Sequence, residues 1–357
     1  MLTVDLAAVR ENYRRLARQA AVPLLPMVKG DAYGLGAVEV AKTLDGEHPV
    51  AFGVANVAEG RVLRAAGIGR SIVVFTPALP HDFPAARAAD LTLCLSNPAH
   101  LALWSELGGS WQLPVDTGMS RAGVDWRDLT ALRAALDAGG FPSGVFTHFH
   151  SADSDPGSMV VQESRFASVL AALPGRPALV HAENSAALLQ RGASQYDCAR
   201  PGIALYGVGV GPARWLPRSA ILLSAPVIEL RVVQAGDTVS YGADWRAPGP
   251  RRIATVALGY ADGYPRGAGS RATALVNGRR VPVVGLVTMD MTMCDVTDVP
   301  CDVGDRVTLV GGDADTDVSA IARHAQRSPY EILTGFRSRV RRAYCSADGD
   351  GVVGAAA

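Results

Sequence analysis

The chain has very little lysine. Of its 34 basic residues only two, Lys29 and Lys42, are lysines. A guanidinium stays protonated at accessible pH and cannot form an imine, whereas a desolvated lysine can lose its proton, attack a carbonyl and form a Schiff base. Lys29 lies in the glycine-flanked segment PMVKGDAYGLG and is therefore the first candidate for covalent chemistry. Lys42 lies in the polar stretch GAVEVAKTLD, which predicts a surface lysine on a helix.

The sequence also lacks an excess of charge of either sign. Its 34 acidic residues balance the 34 basic ones, and no basic run provides a track for a polyanion, so we expect no nucleic-acid partner. No stretch reaches the roughly 18 apolar residues of a membrane span, and the amino terminus MLTVDLAAVRENYRRL lacks the apolar run of a signal peptide. These absences predict a soluble, cytoplasmic protein with no membrane partner.

Cysteine is scarce and scattered. The five cysteines are an odd number and form no CxxC pair, which argues against a disulfide framework and against a zinc ribbon. They are Cys94, Cys198, Cys294, Cys301 and Cys345.

Short apolar runs alternate with helix-like stretches up to about Gly207, which predicts an α/β domain over residues 1–220. Eight candidate strands with intervening helices indicate a (β/α)8 barrel, whose reactive residues lie at the carboxyl ends of the strands. The candidate strands are Leu24 to Val28, Ala51 to Val54, Ser71 to Phe75, Leu91 to Leu95, Trp111 to Val115, Gly144 to Phe149, Ala178 to His181 and Tyr196 to Ala199.

A second, mostly β C-terminal domain is predicted over residues 221–345. It follows a Pro- and Gly-rich linker, GVGVGPARWLP, and its valine-rich strands are divided by turn signals, of which Asn277-Gly278 predicts a hairpin. We expect the first strand of the chain to pair with this domain. Residues 346–357, SADGDGVVGAAA, contain almost no side chains that could form a core, which predicts a mobile tail.

The motifs resemble those of the alanine racemases, pyridoxal-phosphate enzymes that interconvert L- and D-alanine. The resemblance runs through both domains, and the motifs occur together and in one order. They are VDLAAVRENYRRL, VKGDAYGLG, DTGMSRAG, THFHSAD, HAENSAALL, YDCARPGIALYG, VSYGADW, VALGYADGYPR, GLVTMDMTMCDVT and PYEILTGFRSRVRRAY.

The resemblance implies two opposed proton-transfer bases, because racemisation needs one base on each face of a planar carbanion. Lys29 matches the family's cofactor-binding lysine, and Tyr260 in GYADGYPR matches its second base. An unperturbed phenol titrates near 10, so it needs nearby positive charge or hydrogen-bond donors in order to ionise. Arg121 and His148 match the family positions that neighbour this phenol and could supply them. The alternative for Tyr260 is a buried strand aromatic with a satisfied hydroxyl.

The resemblance also implies the groups that bind pyridoxal 5'-phosphate. Arg200 matches the family's partner of the pyridine nitrogen; a guanidinium has no acceptor and leaves that nitrogen unprotonated, which disfavours transamination. Asn184 and Ser185 could instead, or also, cap a helix before AALL. The implied cofactor-binding residues are Lys29, Tyr33, His181, Asn184, Ser185, Arg200, Gly202 and Ile203.

Further family positions concern the substrate and the partner subunit. Arg121 and Met289 match substrate-binding positions, and His148 and Asp290 match supporting ones. In the family, the tyrosine, Met289 and Asp290 positions enter the active site of the other subunit, so a homodimer with shared sites is implied. An HxH metal site formed by His148 and His150 on one strand face is disfavoured, since no ligand cluster accompanies it, and no metal is expected.

Two positions depart from the family pattern. Pro114 stands where the family usually has a carbamylated lysine that holds the substrate-binding arginine, and Leu35 stands where a histidine is usual. We therefore expect a small anion, or a neighbouring carboxylate, to take the place of the carbamate beside Arg121.

The function implied is the two-base racemisation of alanine, which supplies D-alanine for peptidoglycan. Three alternatives remain open: a racemase of broader specificity acting on serine or other small amino acids, a decarboxylase of the same architecture, and a non-catalytic cofactor-binding protein. Arg200 opposes the decarboxylase, which has a glutamate on the pyridine nitrogen. The β domain bearing GYADGYPR opposes the non-catalytic carrier, which is a lone barrel.

Overall fold

The computed structural model describes residues 1–346. The predicted tail therefore lies outside the described residues except for Ser346. The chain separates into two compact units: a first comprising residues 9–32 and 36–217, called the barrel unit here, and a second comprising residues 1–8, 33–35 and 218–346, called the β unit. No helix within residues 1–346 is long and apolar enough to cross a bilayer.

The strands and helices follow one another along the chain as short, regular elements. The strands are β1 Leu2–Asp5, β2 Phe52–Val54, β3 Ile72–Val74, β4 Thr92–Cys94, β5 Trp111–Asp116, β6 Val124–Asp125, β7 Gly144–Phe146, β8 Leu179–His181, β9 Ile221–Val233, β10 Thr238–Val239, β11 Trp245–Arg246, β12 Arg251–Val256, β13 Thr273–Val276, β14 Arg279–Pro282, β15 Thr292–Asp295, β16 Arg306–Val310 and β17 Arg342–Cys345. The helices are α1 Leu6–Ala20, α2 Lys29–Gly34, α3 Ala37–Asp45, α4 Val57–Ala65, α5 Phe83–Ala88, α6 Pro98–Glu106, α7 Leu129–Gly139, α8 Gly157–Ala172, α9 Ser185–Gln190, α10 Val318–Ala325 and α11 Pro329–Thr334.

Six parallel strands form most of the barrel, in the order β2-β3-β4-β5-β7-β8. Two further predicted strands are extended segments that join the ring through isolated bridges, Leu24 to Ala199 and Met27 to Gly53. Leu25 donates to the Ala199 carbonyl and Gly53 to the Pro26 carbonyl, so these segments connect β2 with the chain after β8. The predicted barrel is confirmed, although these two segments are too irregular to count as full strands.

Local sequence signals set the helix starts in the barrel unit. The Asn56 side chain accepts the Glu59 amide at the start of α4, and Asp128 accepts the Ala131 amide at the start of α7. Asn97 caps α6, where Pro98 at the first helical position loses no hydrogen bond because its missing N–H would be unpaired there.

The β unit contains a largely antiparallel sheet in the order β14-β13-β16-β9-β1-β17, and β12 pairs with both β9 and β15. β1 pairs antiparallel with β9 and parallel with β17. The predicted hairpin is present: Val276 pairs with Arg279 across the turn at Asn277 and Gly278, which have φ values of 47° and 73°. Two positive φ angles are those of the type I′ turn that favours Asn-Gly. The predicted mostly β second region is confirmed.

Candidate active site

Lys29 begins a left-handed helical turn. Gly30, Asp31, Ala32, Tyr33 and Gly34 all have positive φ, between 53° and 86°. Left-handed geometry costs roughly 1–2 kcal/mol for each residue that has a side chain beyond Cα, so three consecutive non-glycine residues need external support. Support comes from hydrogen bonds of the turn, including those from the Ala37 amide to the Asp31 carboxylate at 2.8 Å and from the Gly36 amide to the Asp31 carbonyl at 2.9 Å.

The amine of Lys29 faces other cations. Lys29 is exposed at the surface of the barrel unit, but desolvation of its amine by the groups around it is the largest cause that lowers its pKa, followed by the positive charge of Arg121; Glu59 opposes the shift, and Arg200 adds to it. A lysine with a lowered pKa is more readily deprotonated and hence more nucleophilic. Lys42 is exposed on α3, as predicted.

Arg200 is buried in the barrel without a carboxylate partner. Its Nη1 donates to His181 Nδ1 at 2.6 Å, and its Nη2 donates to the Thr147 carbonyl at 2.8 Å and the Ala182 carbonyl at 3.1 Å. Its guanidinium carbon lies 5.3 Å from the ring centre of Phe146. Burial lowers the pKa of Arg200 to about 10, so the side chain remains cationic at neutral pH. A surface ion pair, the alternative for this arginine, is excluded.

The protonation of His181 follows from its partners. Because Nδ1 accepts from Arg200, the proton lies on Nε2, which donates to Gln112 Oε1 at 2.9 Å. Burial, and then the charge of Arg200, holds the pKa of His181 well below its ordinary value. The imidazole also stacks on Phe146, with ring centres 5.0 Å apart. His181 is thus a fixed, neutral ring in the barrel interior.

His148 lies on the other side of the same guanidinium. Its Nδ1 is 3.3 Å from Arg200 Nη2. Burial, Arg200, Arg121 and Lys29 together lower the pKa of His148 to about 3. The side chain is therefore neutral across physiological pH and accepts a hydrogen bond at Nδ1.

The HxH pair does not lie on one strand face. β7 ends at Phe146, so both histidines follow the strand rather than belong to it. His148 faces Arg200, whereas His150 is exposed and pairs with the Ser151 hydroxyl at 2.7 Å. Within residues 1–346 no group of three or more His, Cys, Asp or Glu side chains is placed to hold a metal ion.

The predicted phosphate-binding segments meet at the start of α9. Ser185 Oγ accepts the amide of Gly202 at 2.9 Å and that of Ala204 at 3.3 Å. Asn184 caps the helix by accepting the Ala187 amide at 3.1 Å. The capping interpretation is confirmed for Asn184, while Ser185 joins α9 to the short 3-10 helix that begins at Ile203.

Arg121 carries an uncompensated charge. Within the described part of the chain it forms no ion pair, and the same holds for Lys29 and Arg200. Pro114 lies on β5 opposite Phe146 of β7 and is buried. The carboxylate that we expected as one substitute for the carbamate is therefore not within ion-pair distance of Arg121 in residues 1–346.

A second group of predicted residues lies in the β unit. The Tyr260 amide donates to the Thr288 carbonyl at 3.0 Å, and the Ala261 amide donates to the Met289 carbonyl at 2.9 Å. A Cβ on Gly259 would be 2.3 Å from the Thr288 oxygen, so only glycine allows this approach. Tyr260 is 40% exposed and Met289 53% exposed, so Tyr260 is not the buried strand aromatic of the alternative interpretation.

Arg339, which the sequence did not identify, connects this group. Its Nη2 donates to Asp290 Oδ1 at 2.8 Å, and its Nε lies 3.3 Å from Asp262 Oδ1. The other Asp262 oxygen accepts the Gly259 amide at 3.0 Å. Arg339 thereby holds the turn that carries Tyr260 and the loop that carries Asp290.

Tyr33 also has a neighbour that sequence reasoning missed. Its ring centre lies 6.0 Å from that of Tyr330, and both tyrosines belong to the β unit. Tyr330 lies in the quoted motif PYEILTG, but the match to the motif as a whole did not single out this residue.

A cavity lies away from the cluster around Lys29, along α8. It has a volume of about 700 Å³ and is lined by α8 residues such as Phe166 and Leu170, together with Val180 and Tyr196. It shares no lining residue with the cluster around Lys29, so the cavity is not the site of the lysine chemistry.

Comparisons with known proteins identify the family. The profile described as "Alanine racemase, N-terminal domain" matches residues 4–209, and "Alanine racemase, C-terminal domain" matches residues 220–344. The chain belongs to the alanine racemase family. The family depends on pyridoxal phosphate, and the chain is an enzyme of it.

Individual relatives agree over nearly the whole length. The alanine racemase of Methylobacterium nodulans is 38% identical over 96% of this chain and 95% of its own. The alanine racemase of Deinococcus radiodurans is 38% identical over 95% of this chain and 97% of its own.

Solved structures show the same fold. The alanine racemase from Bacillus anthracis with bound L-Ala-P is 32% identical and has a TM-score of 0.89. The match covers 99% of this chain and 96% of the Bacillus chain. The alanine racemase from Bartonella henselae with covalently bound pyridoxal phosphate is 28% identical and has a TM-score of 0.86. The match covers 97% of this chain and 99% of the Bartonella chain.

Proposed function

We propose that this chain interconverts L- and D-alanine with pyridoxal 5'-phosphate by a two-base mechanism in which Lys29 serves one face of the substrate and Tyr260 of the partner subunit serves the other. We further propose that the protein is a cytoplasmic homodimer and that it supplies D-alanine for peptidoglycan. The observation that carries the proposal is the cluster of Lys29, Arg121 and Arg200, three basic side chains that act on one another and form no ion pair within residues 1–346.

This cluster fits an anionic cofactor and an anionic substrate. Basic groups that face one another repel when charged and favour negative charge among them, which a phosphorylated cofactor and an amino-acid carboxylate supply. The lowered pKa of Lys29 favours the free amine that an imine requires. When bound, pyridoxal phosphate supplies an electron sink for the carbanion left by loss of the α-proton.

Arg200 would hold the ring nitrogen of the cofactor. Its other N–H groups are committed to His181 and to two backbone carbonyls, so its orientation is fixed. A guanidinium only donates hydrogen bonds and has no acceptor for the N–H of a protonated ring nitrogen, so the nitrogen stays unprotonated, which favours reprotonation at the α-carbon over transamination. The same residue disfavours the decarboxylase.

Ser185, Gly202, Ile203 and Tyr33 would hold the phosphate, with Asn184 and His181 beside the ring. The Gly202 amide already points at the Ser185 hydroxyl, and small residues leave backbone donors accessible to an anion.

Arg121 and Met289 would bind the substrate, and His148 and Asp290 would support the site. Arg121 is exposed and has no ion pair within residues 1–346, so its charge is available for a carboxylate. Arg121, together with neutral His148, would lower the cost of ionising the Tyr260 phenol.

The homodimer is supported by the surface of the β unit around Tyr260. Tyr260, Met289 and Met291 are 40%, 53% and 39% exposed and lie on hydrogen-bonded neighbouring loops. Exposed aromatic and methionine side chains in one place are typical of an interface.

The first test locates the imine. Borohydride reduction of the yellow holoenzyme should fix the cofactor on the peptide containing Lys29, and Lys29→Ala should abolish the visible absorbance. Lys42→Ala is the matched control and should keep both. A label on Lys42 would refute the assignment.

The second test separates the two bases. Tyr260→Ala should retain the cofactor but lose racemisation by roughly 10²–10⁴-fold, the usual contribution of a general acid-base. In D₂O it should exchange the α-proton of one alanine enantiomer far better than that of the other. Equal loss of exchange with both enantiomers would contradict the two-face mechanism, and faster turnover of serine than of alanine would favour the broader-specificity racemase.

A further inference from the structure

The carboxylate of Glu59 contacts the backbone at the start of the Lys29 turn and at the end of the neighbouring strand β2. Glu59 Oε1 accepts the Gly30 amide at 2.9 Å, and Glu59 Oε2 accepts the Ala55 amide at 2.7 Å. Gly30 directly follows Lys29, and Ala55 directly follows β2. One side chain therefore joins the residue after the lysine to the end of the neighbouring barrel strand.

The position of Glu59 is itself fixed. Its own amide donates to the Asn56 side chain at 2.9 Å at the start of α4. A glutamate three residues after a helix cap ordinarily bonds back to the amide of the cap residue. Here the carboxylate instead reaches Ala55 and crosses to Gly30, which lies 29 residues away in sequence.

The turn that Glu59 contacts needs such support. Gly30 has a φ of 63° and is the first of five consecutive residues in the left-handed region. Charge-assisted hydrogen bonds from a carboxylate to backbone amides are stronger than neutral ones, so Glu59 fixes the start of an otherwise unfavourable conformation.

Glu59 also balances the charge at the lysine. The ionisable groups that face the Lys29 amine are Arg121 from the loop after β5, Arg200 from the segment after β8, His148 from the loop after β7, and Glu59 from α4. Among the described residues that shift the pKa of this amine, Glu59 is the carboxylate. It raises the pKa, whereas the two arginines lower it.

We propose that Glu59 is a positioning residue for Lys29: its carboxylate, bonded to the Gly30 and Ala55 amides, fixes the left-handed turn from which the lysine projects and places a negative charge beside that turn. The inference rests on the proposed role of Lys29. Glu59 itself contacts backbone amides and is assigned no proton-transfer step.

Two substitutions separate the two effects. Glu59→Gln keeps the length but removes the charge, and its NH₂ group cannot accept a hydrogen bond from one of the two amides. Glu59→Asp keeps the charge but is one methylene shorter and cannot reach both amides. Glu39→Gln is the matched control, because Glu39 is also a carboxylate in the first turn of a helix near Lys29 but lies on α3.

The first readout uses the protein without cofactor. The pH midpoint for acylation of Lys29, followed by peptide mass spectrometry, should fall in Glu59→Gln, because the group that raises the pKa of Lys29 is lost. Glu59→Asp should restore the midpoint toward wild type, and Glu39→Gln should leave it unchanged. Circular dichroism and thermal unfolding identify any variant that does not fold.

The second readout is cofactor binding. Dissociation constants for pyridoxal phosphate, measured at a pH where Lys29 is fully deprotonated in all variants, should rise about tenfold in both Glu59 variants and stay within twofold in Glu39→Gln. An unchanged Lys29 midpoint and affinity in folded Glu59→Gln would overturn the proposal. If the wild-type lysine does not bind the cofactor, the proposed function fails, whereas the acylation midpoint still tests the action of Glu59 on the amine.

Discussion

Two neutral histidines, the buried His181 and the half-buried His148, make the barrel unit sensitive to acid. The pKa of His148 is lowered to about 3, and that of His181 is lowered well below its ordinary value, chiefly by burial and then by Arg200. In the unfolded chain both rings titrate near 6.5, so below that pH the unfolded state binds more protons than the folded state. The free energy of unfolding should therefore fall as the pH drops below about 6.5.

The magnitude follows from linkage. Between pH 7.5 and pH 5.5, each histidine that stays neutral in the fold but protonates on unfolding costs about 1.4 kcal/mol, hence about 2.7 kcal/mol for the two. His148→Gln keeps an acceptor for Arg200 but removes one titrating ring. The decrease in the free energy of unfolding between pH 7.5 and pH 5.5 should therefore be about half that of the wild type. This pH window lies above the range in which most carboxylates protonate.

Urea unfolding of the protein without cofactor measures this difference. Four of the five tryptophans, Trp104, Trp111, Trp126 and Trp215, lie in the barrel unit, so their fluorescence reports its unfolding. His81→Gln, which alters an exposed ring on the surface, should keep the wild-type loss. An equal pH dependence in wild type and His148→Gln would show that His148 is not held neutral, and would refute the charge arrangement described around Arg200.

Two further predictions concern the Tyr260 turn and the Pro114 departure. Gly259→Ala places a methyl group 2.3 Å from the Thr288 oxygen and should therefore displace the loop. We expect the variant to melt several degrees lower and to racemise more slowly, while borohydride still labels Lys29. A fully active, equally stable variant would contradict the close packing. If an external anion takes the place of the carbamate near Arg121, the KM for alanine should respond to chloride at constant ionic strength and not to bicarbonate, and crystals grown with bromide should show anomalous density beside Arg121. A KM indifferent to halide, without such density, would refute the external anion.

The barrel and the β unit could be predicted from the sequence because they depend on local patterns, whereas the roles of the candidate residues came from the resemblance to the alanine racemases. Alternating apolar runs place Lys29 and Arg200 at strand ends, and Asn277-Gly278 sets its own turn. Glu59 and Arg339 escaped prediction because their roles depend on contacts with residues far away in sequence. The left-handed turn after Lys29 escaped because glycines at its two ends permit it, but only the bonds to Glu59 and Asp31 select it.

Pro114, at the position where the resemblance implies a carbamylated lysine, would have different consequences for the two arginines. Arg200 is held by neutral acceptors and covered by aromatic rings, with its guanidinium carbon 5.3 Å from the Phe146 ring centre and 5.8 Å from that of Phe75. Pro114 pairs with Phe146 across the two strands, so an apolar side chain continues this layer without leaving Arg200 short of a partner. Arg121 has no such neighbours and no ion pair in residues 1–346. We therefore expect the loss of the carbamate to weaken substrate binding through Arg121 while leaving cofactor binding through Arg200 intact.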